Sequence, residues 1–127
     1  MYQKDTIIAL ATPSGAGAIA VIRLSGPDAI QMVDSVFKSI HTKKLSTQKT
    51  HTIHLGHIID ASRPLDEVLV SVFKNPKSYT GEDVIEISCH GSSYINKKLY
   101  NCLYVMALVL QIQENLRFVR FWMPNSI

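Results

Sequence analysis

The chain has 127 residues, of which 46% are hydrophobic and 18% are charged, and its formal net charge is +3. This length fits one domain, and the composition is that of a globular protein rather than a disordered one. The charge is mild, and no run of Lys or Arg alternates with aromatic residues, so the composition does not indicate nucleic-acid binding.

The first 26 residues predict two strands joined by a turn. Residues 5–11 form the first apolar segment, and residues 12–17 are rich in Pro, Ser and Gly. Residues 18–26 form a second apolar segment with one charged side chain, Arg23, inside it. Side chains alternate between the two faces of a strand, so Arg23 shares a face with Val21.

The middle of the chain predicts a helix and two more strands. Residues 27–40 begin with proline and carry apolar side chains at helical spacing. Residues 52–59 and 67–73 alternate as strands, and a last helix begins near Ser92 or Ser93. Together with a further apolar strand that begins at Val84, this predicts a single α+β domain with a mixed sheet of about five strands and two or three helices.

A polar turn over residues 78–83 leads into an apolar strand that carries Glu86 in its middle. Burial of a carboxylate in such a strand is costly unless a partner or ligand satisfies it. Arg23 and Glu86 are single charges of opposite sign in two strands, which suggests that they face one shared site. A ligand-binding site and a purely structural cross-strand salt bridge are both compatible with this spacing.

Two long motifs carry a family resemblance. Residues 5–26 read DTIIALATPSGAGAIAVIRLSG, and residues 79–91 read YTGEDVIEISCHG. Both resemble the N-terminal domain of the tRNA modification GTPases of the MnmE (TrmE) family, and the likeness extends from residue 5 to about residue 104. The resemblance implies a fold similar to that of folate-binding aminomethyltransferase-like domains, a bound 5-formyl- or 5,10-methylenetetrahydrofolate, and a homodimer.

The resemblance also implies partners that belong to the full-length family protein. These are GTP, Mg²⁺ and K⁺ in a separate GTPase domain, an FAD-dependent MnmG-type protein, and a tRNA whose wobble uridine is modified. The sequence contains no G-x-x-x-x-G-K-[ST] motif, so we expect no GTP hydrolysis and no catalytic residue in this chain alone.

The site residues implied by the resemblance are Arg23 and Glu86, with Tyr79 and Thr80 as further candidates. A pterin presents a ring N–H beside an exocyclic amine, and a carboxylate such as Glu86 can accept both hydrogen bonds. Arg23 can donate to the pterin carbonyl, to the carboxylate of the glutamyl tail, or to Glu86. The spacing of the histidines is poor for a metal ion, and we expect no metal site.

The resemblance stops near Val105. Family members continue with a segment of the type P-G-E-F-T-x-R-A-F-L-N-x-K, whose lysine completes the folate site. When the tail is back-translated with suitable codons and read two nucleotides later, it gives this segment. We therefore predict a domain over residues 1–104, followed by a frameshift and an out-of-frame tail over residues 105–127. The tail would form an apolar end that is prone to aggregation or seals a dimer. The apolar residues of this end are Leu108, Leu110, Phe118, Phe121 and Trp122. Sequencing the gene for an in-frame continuation tests this.

Cys89 and Cys102 are too few for a disulfide framework, and the N-terminus shows no signal-peptide pattern. The longest apolar stretch is too short to span a bilayer. We expect a cytoplasmic protein with free thiols and no membrane contact. Two alternatives to the folate-binding domain are a truncated, non-functional remnant that binds no ligand and a stand-alone RNA-binding module, which the modest charge disfavours.

Overall fold

Seven strands and two helices form the part of the chain that a computed structural model describes, residues 5–12, 17–78, 81–116 and 118–122. The strands are β1 (Thr6–Leu10), β2 (Ile19–Ser25), β3 (Phe37–Ser39), β4 (Thr52–Asp60), β5 (Arg63–Phe73), β6 (Val84–His90) and β7 (Val119–Trp122), and the helices are α1 (Ala29–Asp34) and α2 (Ser93–Gln113). A 3-10 turn over Leu45–Thr47 precedes β4. The strands lie in one mixed sheet in the order β3-β4-β5-β6-β2-β1-β7.

All strand pairs are antiparallel except the pair of β7 with β1. The strand β6 lies at the centre, between β5 and β2. Its register against β2 places Glu86 directly opposite Arg23. The topology thus brings together two residues that are 63 positions apart in the chain.

One face of the sheet is buried beneath the two helices. Alternate residues of the central strands, among them Ile22, Leu24, Ile85 and Ile87, have no exposed surface and form one cluster with the helices. This alternation is typical of a sheet with one covered face. The helices therefore leave the face with Arg23 and Glu86 without a helical layer.

The α+β class and the mixed sheet agree with the prediction, but the number of strands is larger. Residues 27–40 do not form one helix, because α1 ends at Asp34 and β3 follows it. Val36 accepts a hydrogen bond from the N–H of Ile59 at 2.7 Å, and Phe37 lies opposite Ile58. Pairing with β4 therefore overrides the helical spacing of the apolar residues.

The last helix begins where it was predicted and ends later. Ser92 is the N-cap residue, and its side chain accepts a hydrogen bond from the N–H of Ile95 at 3.4 Å. The helix continues to Gln113, and Asn115 then adopts a φ of 54°, a left-handed conformation that asparagine tolerates. The N–H of Leu116 donates back to the oxygen of Leu110, and the chain turns towards β7.

The predicted apolar end is only partly exposed. Leu110 is buried in the core, and Phe121 is half-buried against Tyr100 and Tyr104. Side chains that stay exposed are Leu108, Phe118 and Trp122. Two of the five residues thus pack against the domain, while the frameshift and the boundary after residue 104 stay predictions.

Candidate ligand-binding face of the sheet

Arg23 and Glu86 form a salt bridge in the middle of the uncovered face. Nε of Arg23 lies 2.8 Å from Oε2 of Glu86, and Nη2 lies 2.6 Å from the same oxygen. The side chains are 41% and 23% exposed, respectively. The structure thus brings together the two residues that strand alternation placed on one face.

The geometry of the salt bridge leaves one carboxylate oxygen of Glu86 able to accept a further hydrogen bond. Both contacts that Arg23 makes with Glu86 fall on Oε2, and Oε1 of Glu86 has no hydrogen bond to any residue within the described ranges. A partly exposed ion pair contributes little to folding stability, about 0–1 kcal/mol. The salt bridge and a ligand contact at Oε1 are therefore compatible.

Small residues flank the salt bridge on both sides. Ala9 lies opposite Arg23 in β1, and Ser71 lies opposite Glu86 in β5. Side chains of directly opposite residues lie on the same face of a sheet. The charged pair is therefore bordered by side chains too short to cover it, and a flat group can approach it from solvent.

Large apolar side chains surround this polar centre. Alternation and register put them on the same face as the salt bridge. Exposed fractions range from 38% to 65%. Exposed apolar side chains concentrated on one face are typical of a contact with a ligand or another protein. We call this surface the open face, and it consists of Ile7, Ile19, Arg23, Ile53, Leu55, Leu69 and Glu86.

A hollow of about 290 Å³ lies on the open face beside Glu86. Apolar walls come from Ile19, Leu55 and Leu69. Polar groups come from Glu67 of β5, from Ser88, which is two residues after Glu86 and on the same face, and from His90 at the end of β6. The hollow thus extends the polar centre along β6.

His90 is held by a carboxylate that sequence reasoning missed. Oδ1 of Asp66 lies 2.6 Å from Nδ1 of His90, and Oδ2 accepts the backbone N–H of His90 at 2.9 Å. The side chain of Asp66 is only 8% exposed, whereas that of His90 is 69% exposed. No sequence signal predicts this pair, because Asp66 precedes the predicted strand over residues 67–73.

Cys89 is a buried core residue with a free thiol. It is 4% exposed, and burial together with the nearby charge of Asp66 raises the pKa of its thiol to about 12. Burial and the charge of Asp60 raise the pKa of Cys102 to about 11. Neither thiol therefore has the ionised character of a nucleophile at neutral pH.

The remaining candidate residues, Tyr79 and Thr80, lie outside the residues that the structure describes. Two described residues of the same segment, Glu82 and Asp83, accept hydrogen bonds. Oδ1 of Asp83 accepts the N–H of Asn75 at 2.8 Å, and the backbone oxygen of Glu82 accepts a hydrogen bond from the hydroxyl of Ser78. Glu82 and Asp83 therefore order the turn beside β6.

Two glycines of the motifs meet across the strand ends. The N–H of Gly17 donates to the oxygen of Gly91 at 3.0 Å, and the N–H of Gly91 donates to the oxygen of Ala18 at 3.2 Å. A Cβ at position 91 would overlap the carbonyl group of Gly17. Glycine at position 91 thus permits the close approach of the two motifs.

Over the described ranges, no cluster of three or more His, Cys, Asp or Glu side chains has the arrangement of a metal site. No described helix is both long enough and apolar enough to cross a membrane.

Comparison with known proteins finds similar sequences over most of this chain. The family model for the GTP-binding protein TrmE N-terminus matches residues 6–117. The tRNA modification GTPase MnmE of Flavobacterium johnsoniae is 66% identical over 103 residues, which are 81% of this chain and 22% of that protein. The MnmE of Christiangramia forsetii is 58% identical with the same coverage. The MnmE of Bacillus subtilis is 56% identical over 89 residues, which are 68% of this chain and 19% of that protein.

The chain spans about a fifth of the length of these relatives. The family match, in contrast, covers most of the chain and both motifs. The chain belongs to the TrmE N-terminal family, that of the N-terminal domain of the tRNA modification GTPases called MnmE.

Proposed function

We propose that this domain binds a tetrahydrofolate one-carbon carrier at the Arg23–Glu86 pair. The observation that carries the proposal is the position of this pair, partly exposed in the middle of a sheet face that neither of the two described helices covers. Oε1 of Glu86 is available to accept from the N–H groups of a pterin, and each hydrogen bond to a charged group contributes about 1.5–3 kcal/mol. The neighbouring hollow offers apolar walls for the rest of an elongated ligand.

The proposal extends to a homodimer formed through the open face. Ile19 and Ile53 are each 65% exposed, and Leu69 is 45% exposed. Apolar side chains of this size at the centre of a surface favour association with another protein surface. In this role the domain is the dimerising, cytoplasmic part of a tRNA modification GTPase that acts on tRNA with an MnmG-type FAD protein.

Isothermal titration calorimetry with 5-formyltetrahydrofolate tests the ligand proposal. We expect saturable heat with the wild-type chain and at least a tenfold loss of affinity in Arg23→Ala and in Glu86→Ala, since each removes a charged hydrogen-bonding group. Arg63→Ala and Glu114→Ala are matched controls, because they remove exposed charges of the same sign away from the salt bridge and the hollow. Absence of saturable heat with the wild-type chain favours the alternative, a remnant that binds no ligand.

Size-exclusion chromatography with light scattering tests the dimer. We expect twice the mass of one chain for the wild type and the mass of one chain for Ile53→Lys or Leu69→Lys, because a buried lysine in the contact is costly. Ile112→Lys is the matched control, since Ile112 is an 85% exposed apolar residue of α2. A dimer that persists in the two open-face variants excludes this surface as the contact.

A further inference from the structure

Positive charge is concentrated in residues 35–59. This segment contains four lysines and four of the five histidines but no Asp or Glu, whereas the rest of the chain contains nine Lys or Arg against ten Asp or Glu. The segment forms β3, the 3-10 turn and β4 at one edge of the sheet. The net positive charge of the chain therefore arises at that edge.

Three of these lysines surround one hollow of about 220 Å³. Lys38 lies in β3, Lys43 and Lys44 lie in the connection that follows, and all three are exposed. Ser39 and Thr42 also line the hollow and bring hydroxyl groups beside the ammonium groups. We call these five residues the basic edge.

Asp34 is the acidic residue that lines the same hollow, and its carboxylate is already engaged. Oδ1 accepts the N–H of Leu45 at 2.6 Å, and Oδ2 accepts the N–H of Ser46 at 3.0 Å. Within the described part of the chain, the lysines of the basic edge form no ion pair with an Asp or Glu. Their charges are therefore available to an anion from solution.

The neighbouring strand adds histidines rather than counter-ions. His57 lies opposite Lys38 in the β3–β4 pair. The pKa of His54 is lowered by burial and by the charge of Lys43, so the field of Lys43 extends to β4. Converging like charges repel each other, and a bound polyanion relieves this repulsion.

We propose that the basic edge binds the sugar–phosphate backbone of RNA. Lysine ammonium and Ser/Thr hydroxyl groups are typical donors to phosphate oxygens. Among the residues that line the hollow, Phe37 is the one apolar side chain, whereas a protein partner would call for an apolar centre. The choice of RNA as the polyanion rests on the proposed function in tRNA modification. The positive charge of the basic edge is a property of the sequence and does not depend on that proposal.

Fluorescence anisotropy with an unmodified tRNA transcript tests this proposal at 50, 100 and 200 mM KCl on the whole chain. The variant is Lys38→Gln/Lys43→Gln/Lys44→Gln. The matched control is Arg63→Gln/Lys97→Gln/Lys98→Gln, which removes three exposed positive charges elsewhere. Circular dichroism melts verify that both variants fold, and Lys43→Glu alone serves as a second variant.

We expect the wild type to bind with a log–log salt slope of about −2 to −3, as three phosphate contacts require. The basic-edge variant should lose affinity at least tenfold at 50 mM KCl, and its slope should approach zero. Lys43→Glu should weaken binding in the same direction, and the control should stay within about twofold of the wild type. Equal losses in both triple variants, or no loss in the first, would overturn the proposal.

Two further measurements separate the possible explanations. Polyglutamate of the same charge should compete at least tenfold less well than the tRNA; equal competition indicates an acidic protein partner and contradicts RNA binding. The basic-edge variant should keep its affinity for 5-formyltetrahydrofolate, and Arg23→Ala should keep its affinity for tRNA. If the wild-type chain binds tRNA as expected but does not bind folate, the proposed function is contradicted and the basic edge is not. If the wild-type chain binds folate but its tRNA binding does not depend on salt, the basic edge is contradicted and the proposed function is not.

Discussion

Asp66 holds His90 through both oxygens of its carboxylate, one on the imidazole ring and one on the backbone N–H. The contact joins β5 to the end of β6, where the chain leaves the sheet for the close approach of Gly91 to Gly17. Asp66 is nearly buried and its partner is exposed. The nearly buried carboxylate of Asp66 therefore holds the end of β6 from the protein side, while the ring of His90 stays exposed to solvent.

We predict that Asp66→Ala lowers the free energy of unfolding by about 1–3 kcal/mol. The substitution removes the acceptor of a backbone N–H and leaves that donor without its partner. Urea unfolding followed by circular dichroism measures the change, and Glu67→Ala is the control because it removes an adjacent, exposed carboxylate. Equal effects of the two substitutions would show that the Asp66–His90 contact adds nothing.

The Arg23–Glu86 salt bridge should contribute little to stability. We predict a coupling free energy of about 0.5–1 kcal/mol from a double-mutant cycle of Arg23→Ala, Glu86→Ala and the double variant, because both side chains are partly exposed. Unfolding in urea supplies the four values. A coupling several times larger would mean that the pair serves the fold, and it would weaken the case for a ligand.

Single charges of opposite sign in two apolar strands suggested that Arg23 and Glu86 face one site, and the structure pairs them. This reasoning did not find Asp66, which precedes the predicted strand and lies next to a register shift in the β4–β5 pairing between Ile58 and Ile59. Such a shift is set by tertiary packing, and it changes which side chains meet. Pairs within regular strands were thus predictable, whereas contacts at an irregular strand end were not.

The helix expected over residues 27–40 shows a second limit of the sequence pattern. Val33, Val36 and Phe37 have helical spacing, but Val36 and Phe37 also suit an edge strand. Hydrogen bonding to β4 favours the strand over the helix for these residues. The residues of β4 that supply the hydrogen bonds are more than 15 positions away in the chain. A local pattern carries no information about that partner.

Stability should decline at alkaline pH because of the buried thiols. In the unfolded chain, Cys89 and Cys102 ionise near pH 9, whereas in the fold their pKa values are about 12 and about 11. Below pH 9 both thiols are protonated in the folded and in the unfolded state, so they cause no change of stability with pH. Above pH 9 the thiols of the unfolded state lose their protons first, and the free energy of unfolding therefore falls from there to about pH 12. Each thiol contributes a slope of up to about 1.4 kcal/mol per pH unit.

Urea unfolding of the wild type and of Cys89→Ala/Cys102→Ala at pH 8, 9, 10 and 11 measures this effect. The variant should be less stable at pH 8 because of lost packing, and it should lose less stability between pH 9 and 11. Tyr100, whose pKa burial raises to about 12, leaves a residual slope above pH 10 in both proteins. Parallel curves for the two proteins would contradict the assignment to the thiols.

The strand β7 should stabilise the domain through one face only. Phe121 contacts Tyr100 and Tyr104 edge-on, at centroid distances of 5.8 and 5.4 Å, and packs against the core. Trp122 is the next residue, 57% exposed, on the other face of the strand. We predict that Phe121→Ala lowers the free energy of unfolding by about 1–3 kcal/mol, since it removes a half-buried aromatic side chain.

Trp122→Ala is the matched control for this prediction. It should change stability by less than about 0.5–1 kcal/mol, because its side chain is exposed and the bond from the hydroxyl of Tyr100 goes to its backbone oxygen. Removal of residues 118–127 should cost more than Phe121→Ala alone, because it also exposes the edge of β1 and breaks the bond from the N–H of Thr6 to Phe118. If truncation and both substitutions leave the urea midpoint unchanged, β7 does not hold the edge of the sheet in solution.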